Sequence, residues 1–373
     1  MLRQSCSVLV GLAAVLLAGR MAGGREEPAK PLEWVRVDKE GRGFVLAESG
    51  RRFVPWGVNY DHDEAGRLLE DYWEKEWAKV EEDFREMKQL GANLVRVHLQ
   101  FGRFMRAKDR PDEAALDRLA RLVQLAEEQR LYLDLTGLGC YHKQDVPAWY
   151  DELTEGERWD AQARFWEAVA RRCADSPAVF CYDLMNEPVV PGGPRKPGDW
   201  LGPPFAGKHF VQFITLDPAG RARPDIARAW IRRLTQAIRR HDRRHLITVG
   251  LVPWSLDRPG LSSGFVPEKI AGDLDFLSVH IYPDKGKLDE ALKTLEGFAV
   301  GKPVLIEEIF PLRCSQAELE EFIRRSEPTA AGWVGFYWGK TREEYQRSQK
   351  LPDALMLAWL DYFAKRAQTL PRP

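Results

Sequence analysis

The sequence predicts an α/β protein folded as a (β/α)8 TIM barrel with an N-terminal β-hairpin. Eight short apolar runs, beginning near residues 53, 93, 131, 179, 246, 275, 303 and 332, alternate with segments of helical periodicity. The runs are rich in Val, Leu and Ile with little polar alternation, as strands buried on both faces are. Polar and charged side chains gather where these runs end, and in such a barrel the strand ends share one functional face. The runner-up is a doubly wound open sheet. It is weakened because no GxGxxG or GxxxxGK[ST] follows the first run.

The elements follow in order. Residues 1–23 read as a signal peptide, with Arg3 as the positive start, an 11-residue apolar run from Val8 to Ala18, and small residues at Ala22-Gly23-Gly24. The run is too short to span a bilayer and no second candidate follows, so a secreted or periplasmic chain without membrane insertion is expected. An uncleaved N-terminal anchor is the alternative. Residues 24–33 are a flexible lead, 34–366 a single barrel domain, and 367–373 a tail. Trp34 to Val37 and Gly43 to Ala47 form a hairpin around Lys39-Glu40-Gly41.

Phe53 to Val58 is the first barrel strand. Trp73, Trp77, Val80, Phe84 and Met87 then recur at helical spacing, and Gly91 ends that helix. Strand NLVRVHL, from Asn93 to Leu99, precedes a helix marked by Leu116, Leu119, Leu122, Val123 and Ala126. Leu131 to Leu135 is the third strand. Phe165, Val169 and Cys173 mark a helix before the apolar run Val179 to Met185, which ends abruptly in Asn186-Glu187-Pro188. Residues 189–223 form the longest interval, expected as a wall of the cleft carrying Trp200. Ile226, Trp230, Leu234 and Ile238 mark the next helix, and Leu246 to Val249 and Asp275 to His280 are strands. Leu288 to Leu295 is helical and Val304 to Glu308 a strand. Ser315-Gln316-Ala317-Glu318 has capping-box spacing. Trp333 to Trp338 is the last strand, and Met356 to Phe363 lies in a closing helix.

Composition narrows the chemistry. Lys+Arg 55 against Asp+Glu 56 leaves a net charge of -1, which supplies no field for nucleic acid. Once Cys6 leaves with the signal, Cys140, Cys173, Cys181 and Cys314 remain. They make no disulfide framework, and one bridge stays open without an assigned pair. No CxxC or HExxH spacing occurs, so neither metal nor cofactor is expected. A monomer is the working expectation.

The strand ends bring together Asn59, Arg96, His98, Thr136, Asn186, Glu187, Trp254, His280, Tyr282, Glu307, Glu308 and Trp338. Carboxylates stand at two places among these, the ends of strands four and seven. Paired carboxylates ringed by Arg, His, Tyr and Trp are what hydrolysis of a glycosidic bond requires. One must be protonated to release the leaving oxygen, and the other ionised to attack the anomeric carbon. A nearby Arg and Tyr favour the ionised form of the second, whose charge keeps the first protonated. Asn186 is placed to hold a sugar 2-hydroxyl, and an excess of Trp, 13 residues, suits stacking on sugar rings. Side chains alternate along a strand, so only one of Glu307 and Glu308 is expected to face the mouth.

In these residues the chain resembles glycoside hydrolase family 5, the cellulase family, from about residue 45 to residue 340. Asn186-Glu187-Pro188 resembles the family's acid/base motif and KPVLIEE, ending in Glu307-Glu308, its strand-seven motif. Arg96 in NLVRVHL, His280 and Tyr282 in SVHIYP, and Trp338 in GFYW match further pocket positions. The resemblance implies a retaining enzyme with Glu187 as acid/base and Glu308 as nucleophile, leaving Glu307 toward the helical layer or a neighbouring strand. Asn186, Arg96, His280, Tyr282 and Trp338, joined by Trp254 and Asn59, form the expected substrate-binding set. Two features depart from the family. Ile309-Phe310-Pro311 replaces its usual Phe-Gly, which bears on the choice between the two Glu residues. LDLTGLGCYH lacks its His at the end of strand three, which bears on substrate subclass. The expected substrate is a β-linked glucan or mannan. The alternatives are transglycosylation on the same scaffold and a non-catalytic carbohydrate-binding barrel.

Overall fold

Eight parallel strands close on themselves in chain order: β1 (Trp56–Tyr60), β2 (Leu94–Gln100), β3 (Tyr132–Gly139), β4 (Val179–Asn186), β5 (Leu246–Leu251), β6 (Leu277–His280), β7 (Val304–Ile309) and β8 (Ala330–Gly335), with β8 pairing back onto β1. This computed structural model describes residues 31–371 except 259 and 337. The signal-peptide reading of residues 1–23, and most of the 24–33 lead, lie outside the described residues. Every residue of the eight strands is buried, which is why they read as unbroken apolar runs.

Helices cover the outside of the barrel: α1 (Trp77–Gln89), α2 (Glu113–Gln129), α3 (Glu155–Cys173), α4 (Arg223–Arg239), α5 (Pro267–Ile270), α6 (Leu288–Glu296), α7 (Gln316–Ser326) and α8 (Leu351–Ala367). Their starts are written in the sequence. Asp112 caps α2, Thr154 and Glu157 form a capping box on α3, and Ser315 and Glu318 form the expected one on α7. Trp77, Val80, Phe84 and Met87 give α1 its buried stripe, whereas Trp73 caps a separate turn, Leu69–Tyr72. The fifth helix is one turn, so strand-helix alternation is weakest between β5 and β6.

The N-terminal hairpin gains a third strand. Val35–Val37 pairs antiparallel with Phe44–Leu46, which pairs with Arg52–Phe53. Phe53 therefore belongs to this sheet and not to the barrel. Pro55, lacking an N–H, separates the two, and β1 starts at Trp56. The sheet packs against the first residues of the barrel strands. Phe44 meets Phe180 and Phe276 edge-on, and Leu94, Tyr132, Leu246 and Leu305 complete this cluster. Each such side chain contributes about 1.5–3 kcal/mol on burial. The closed N-terminal end leaves the C-terminal ends as the open face.

Candidate active site

Glu187 follows β4 directly and holds a left-handed backbone, φ 47°. A non-glycine residue there costs on the order of 1–3 kcal/mol, so its surroundings must over-determine it. They do: its N–H donates to Gly250 O at 3.1 Å, and its carbonyl accepts from Gln212 N at 3.3 Å. Pro188, lacking an N–H, opens the short parallel pairing of Pro188–Val189 with Gln212–Phe213. The Glu187 side chain is 19% exposed and lines the mouth of the barrel.

Glu308, on β7, is held from two sides. Its Oε1 accepts from Arg96 Nη1 at 2.8 Å and its Oε2 from the Tyr282 hydroxyl at 2.6 Å. Burial pushes its carboxyl above the usual carboxylate range and the nearby Glu187 adds to this, while His280, Arg96 and Tyr282 oppose it. His280 Nδ1 lies 2.9 Å from Glu187 Oε1 and 3.5 Å from Glu308 Oε1. Burial alone would lower its pKa, but Glu308, Glu187 and Glu307 outweigh that and raise it to about 10. His280 is therefore a cation between two carboxylates. One oxygen of Glu187, one of Glu308 and a His280 nitrogen lie within 4.8 Å of one another.

Arg96 organises the floor. It is wholly buried. Nε donates to Thr136 Oγ1 at 2.7 Å, Nη1 to Asn59 Oδ1 at 3.0 Å and to Glu308, and Nη2 to Asp183 Oδ2 at 2.8 Å and Asn186 Oδ1 at 3.0 Å. All five of its N–H groups are engaged within the protein, so Arg96 positions the site and leaves no donor for a ligand.

Glu307 departs from the expectation of a side chain in the helical layer. It points into the barrel, fully buried, with Oε2 at 3.4 Å from both Arg96 Nη2 and His280 Nε2. The reason is a break in strand alternation. The β6–β7 register shifts between Val279 and His280, and the β7–β8 register shifts between Ile306 and Ile309. An irregularity of this kind re-aims a side chain, and here two consecutive carboxylates reach the interior and its mouth. Burial would raise the Glu307 pKa, but Arg96 and His280 bring it down to about 2.

Two pockets meet at Glu187 and Tyr282. One, of about 400 Å³, is lined by Asn186, Glu187, Glu308, Phe205, Phe210 and Phe336 among others. The other, of about 210 Å³, has a charged rim of Asp284, Lys287, Glu290 and Arg313 beside His280. Asn186 borders the larger pocket, donates from Nδ2 to Phe210 O at 3.0 Å, and keeps one amide N–H for a ligand.

Four aromatic or amide expectations are placed elsewhere. Asn59 is buried beneath the pocket, donating to Glu307 O at 3.0 Å and accepting from Arg96. Trp338 is buried past the end of β8, near Asp83 of α1, and Phe336 takes the place at the pocket. Trp254 is half-buried, and its neighbour Pro253 lines the smaller pocket. Trp200 is buried against Tyr150, with Nε1 donating to Asp151 at 2.7 Å. The long excursion does wall the cleft, but through Pro203, Phe205, Phe210 and Val211. Asp183 was missed as a partner of Arg96, although an acidic residue inside an apolar strand was itself a signal. Thr136, on β3, also serves Arg96 by accepting from its Nε.

Among the described residues, two trios have oxygen and nitrogen atoms close enough to surround a cation: Glu187, His280 and Glu308, and Asp134, Asp183 and Glu307. In the first, His280 Nδ1 already lies against Glu187 Oε1 and Glu308 Oε1. In the second, Asp183 and Glu307 already face the Arg96 guanidinium. Cys140, Cys173, Cys181 and Cys314 are all unbridged.

An eight-stranded barrel whose fourth and seventh strands end in facing carboxylates has the architecture of the barrel glycoside hydrolases. The profile of the cellulase family, glycosyl hydrolase family 5, matches residues 51–317, and the chain belongs to that family. It is 24% identical over 249 residues to mannan endo-1,4-beta-mannosidase A of Emericella nidulans, covering 60% of this chain and 56% of that protein. A mannan endo-1,4-beta-mannosidase 2 of Oryza sativa is 25% identical over 163 residues, 36% of this chain and 30% of that protein. The chain thus spans under two thirds of the length of these relatives. In structure it is similar to the exo-beta-1,4-mannosidase Op5Man5 from Opitutaceae bacterium strain TAV5, with TM-score 0.63 and 18% identity over 89% of this chain and 62% of that one. The endo-1,4-beta-mannanase of Rhizomucor miehei superposes with TM-score 0.61 and 18% identity over 89% of this chain and 100% of that one.

Proposed function

We propose that the chain is a retaining β-glycoside hydrolase acting on β-1,4-linked mannosides, with Glu308 as nucleophile and Glu187 as acid/base. The observation that carries this is the close approach of Glu187 and Glu308 oxygens, within 4.8 Å. Retaining sites hold their carboxyls about 5–5.5 Å apart, and inverting sites roughly 6.5–9.5 Å, to admit a water between them. Glu308 attacks the anomeric carbon as Glu187 gives its proton to the departing oxygen. Water, deprotonated by Glu187, then displaces Glu308 and restores the starting configuration. Tyr282 and Arg96 hold Glu308 for attack, and Asn186 presents its remaining N–H to the sugar. Mannan is favoured over glucan because the relatives found by sequence are named mannosidases.

Export belongs to the same reading and is supported by the N-terminal sequence. Among the described residues no helix is long and apolar enough to cross a membrane. The test is to follow cleavage of β-mannans, β-glucans and aryl β-glycosides by NMR. Release of the β-anomer first, from mannan, with turnover abolished in Glu308→Gln and only reduced in Glu307→Gln, is the expected result. Release of the α-anomer would overturn retention, and loss only in Glu307→Gln would reverse the assignment of the nucleophile.

A further inference from the structure

Below the catalytic pair lies a second group of carboxylates that the mechanism does not use: Asp134 on β3, Asp183 on β4 and Glu307 on β7. All three are wholly buried, and one oxygen from each lies within 4.8 Å of the others. Their surroundings differ. Asp183 is saturated, with Oδ1 accepting from Gly250 N at 2.7 Å and Oδ2 from Arg96 and from Thr136 Oγ1 at 2.8 Å. Glu307 Oε2 faces the two cations, Arg96 and His280, while its Oε1 has no donor. Asp134 has no donor on either oxygen.

Three like charges at this separation in a low-dielectric interior cannot all persist, and a buried carboxylate without a donor is costly. A single proton resolves both problems. Placed on one carboxyl of the Asp134–Glu307 pair, it removes a charge and supplies the donor that Glu307 Oε1 or Asp134 lacks. The cations beside Glu307 favour its ionised form, so the proton belongs on Asp134. The groups facing Asp134 agree: Arg96 on β2 is committed to other acceptors, and Cys181 and Asp183 on β4 and Glu307 on β7 add no cation.

We propose that Asp134 is a neutral carboxylic acid in the folded protein, donating its proton to Glu307 Oε1, and that it acts as a positioning residue for Glu308. It fixes the anion that anchors Arg96 and His280, the two cations in contact with the nucleophile. The positioning half rests on Glu308 being the nucleophile, and the protonation half does not.

Infrared spectroscopy of the full chain separates the two. At about pH 9, far above the carboxylate range, solvent-facing carboxyls are ionised and a buried carboxylic acid still shows its C=O stretch. The expected result is one such band in the unmodified protein, kept in Glu187→Gln and lost in Asp134→Asn. Absence of the band in the unmodified protein overturns the proposal even if no variant folds. So does a band that survives Asp134→Asn, or a stoichiometric metal ion that leaves with that substitution. For the positioning half, Asp134→Leu removes the donor, whereas Asp134→Asn keeps an N–H for Glu307. Asp134→Leu is expected to lower kcat at least about tenfold more than Asp134→Asn with KM little changed, the effect of one lost hydrogen bond to a charged group. Equal kcat in the two variants, with the infrared band in place, overturns the positioning role alone.

Discussion

Replacing Tyr282 by Phe removes one hydroxyl and leaves the ring that borders both pockets. That hydroxyl donates to Glu308 Oε2 at 2.6 Å, inside a buried site. A hydrogen bond to a charged group contributes about 1.5–3 kcal/mol. It favours the ionised carboxylate, so its loss makes Glu308 harder to ionise. At 1.36 kcal/mol per pH unit, the acid limb of kcat/KM is expected to move upward by about one to two units. The sign is fixed by the direction of the bond: a donor to the anion depresses the pKa, and removing it raises the pKa. The assay is kcat/KM on an aryl β-mannoside across the acid range, beside the unmodified enzyme. An acid limb that stays in place, or moves to lower pH, refutes the assignment of Glu308. Tyr282 makes no hydrogen bond to Glu307, so a nucleophilic Glu307 would leave the limb unmoved.

Three further outcomes are expected. Glu187→Gln should lower kcat by about 10²–10⁴ on mannan, where the leaving group needs a proton, and far less on an aryl glycoside with an acidic phenol. Mannan turnover at the unmodified rate would remove Glu187 from that role. Arg96→Leu leaves buried Asp183 without its cation and Glu307 and Glu308 with His280 alone, and should destabilise the fold by about 3–5 kcal/mol in denaturant titration. Gly137→Ala should destabilise by about 1–3 kcal/mol through overpacking. An added Cβ would sit 2.4 Å from Trp166 Cζ2 and 2.7 Å from Phe165 Cε1, so β3 and α3 would have to part. An unchanged denaturation midpoint for Gly137→Ala would show that this contact yields freely.

The barrel was legible because burying both faces of a strand leaves a run with no polar alternation, and the chain repeats that run eight times. Its edges were less so. Phe53 carries the same apolar signal as β1, and only the Val54-Pro55 break divides the N-terminal sheet from the barrel. At β8 the run Trp333 to Trp338 reads as strand by aromatic content, but the strand itself is Ala330–Gly335. Glu307 was misdirected because strict alternation was assumed along β7, and a register shift leaves no mark in the sequence of the strand that carries it.

The site residues divide by chemistry. A charged side chain in a barrel interior must find a partner, so Arg96, His280, Glu187, Glu307 and Glu308 constrain one another, and reading them at strand ends was enough to bring them to one place. An indole is mostly apolar and has one neutral donor to place, a weaker constraint than a charge. Trp200, whose Nε1 donates to Asp151, and Trp338 are both buried in the core, while Phe205, Phe210 and Phe336 wall the cleft. The same asymmetry makes Asp134 informative. A carboxyl in the middle of an apolar strand, with no hydrogen bond to either oxygen and only the weak Cys181 thiol beside it, either carries its own proton or has a partner the chain does not supply, and the cations beside Glu307 favour the proton.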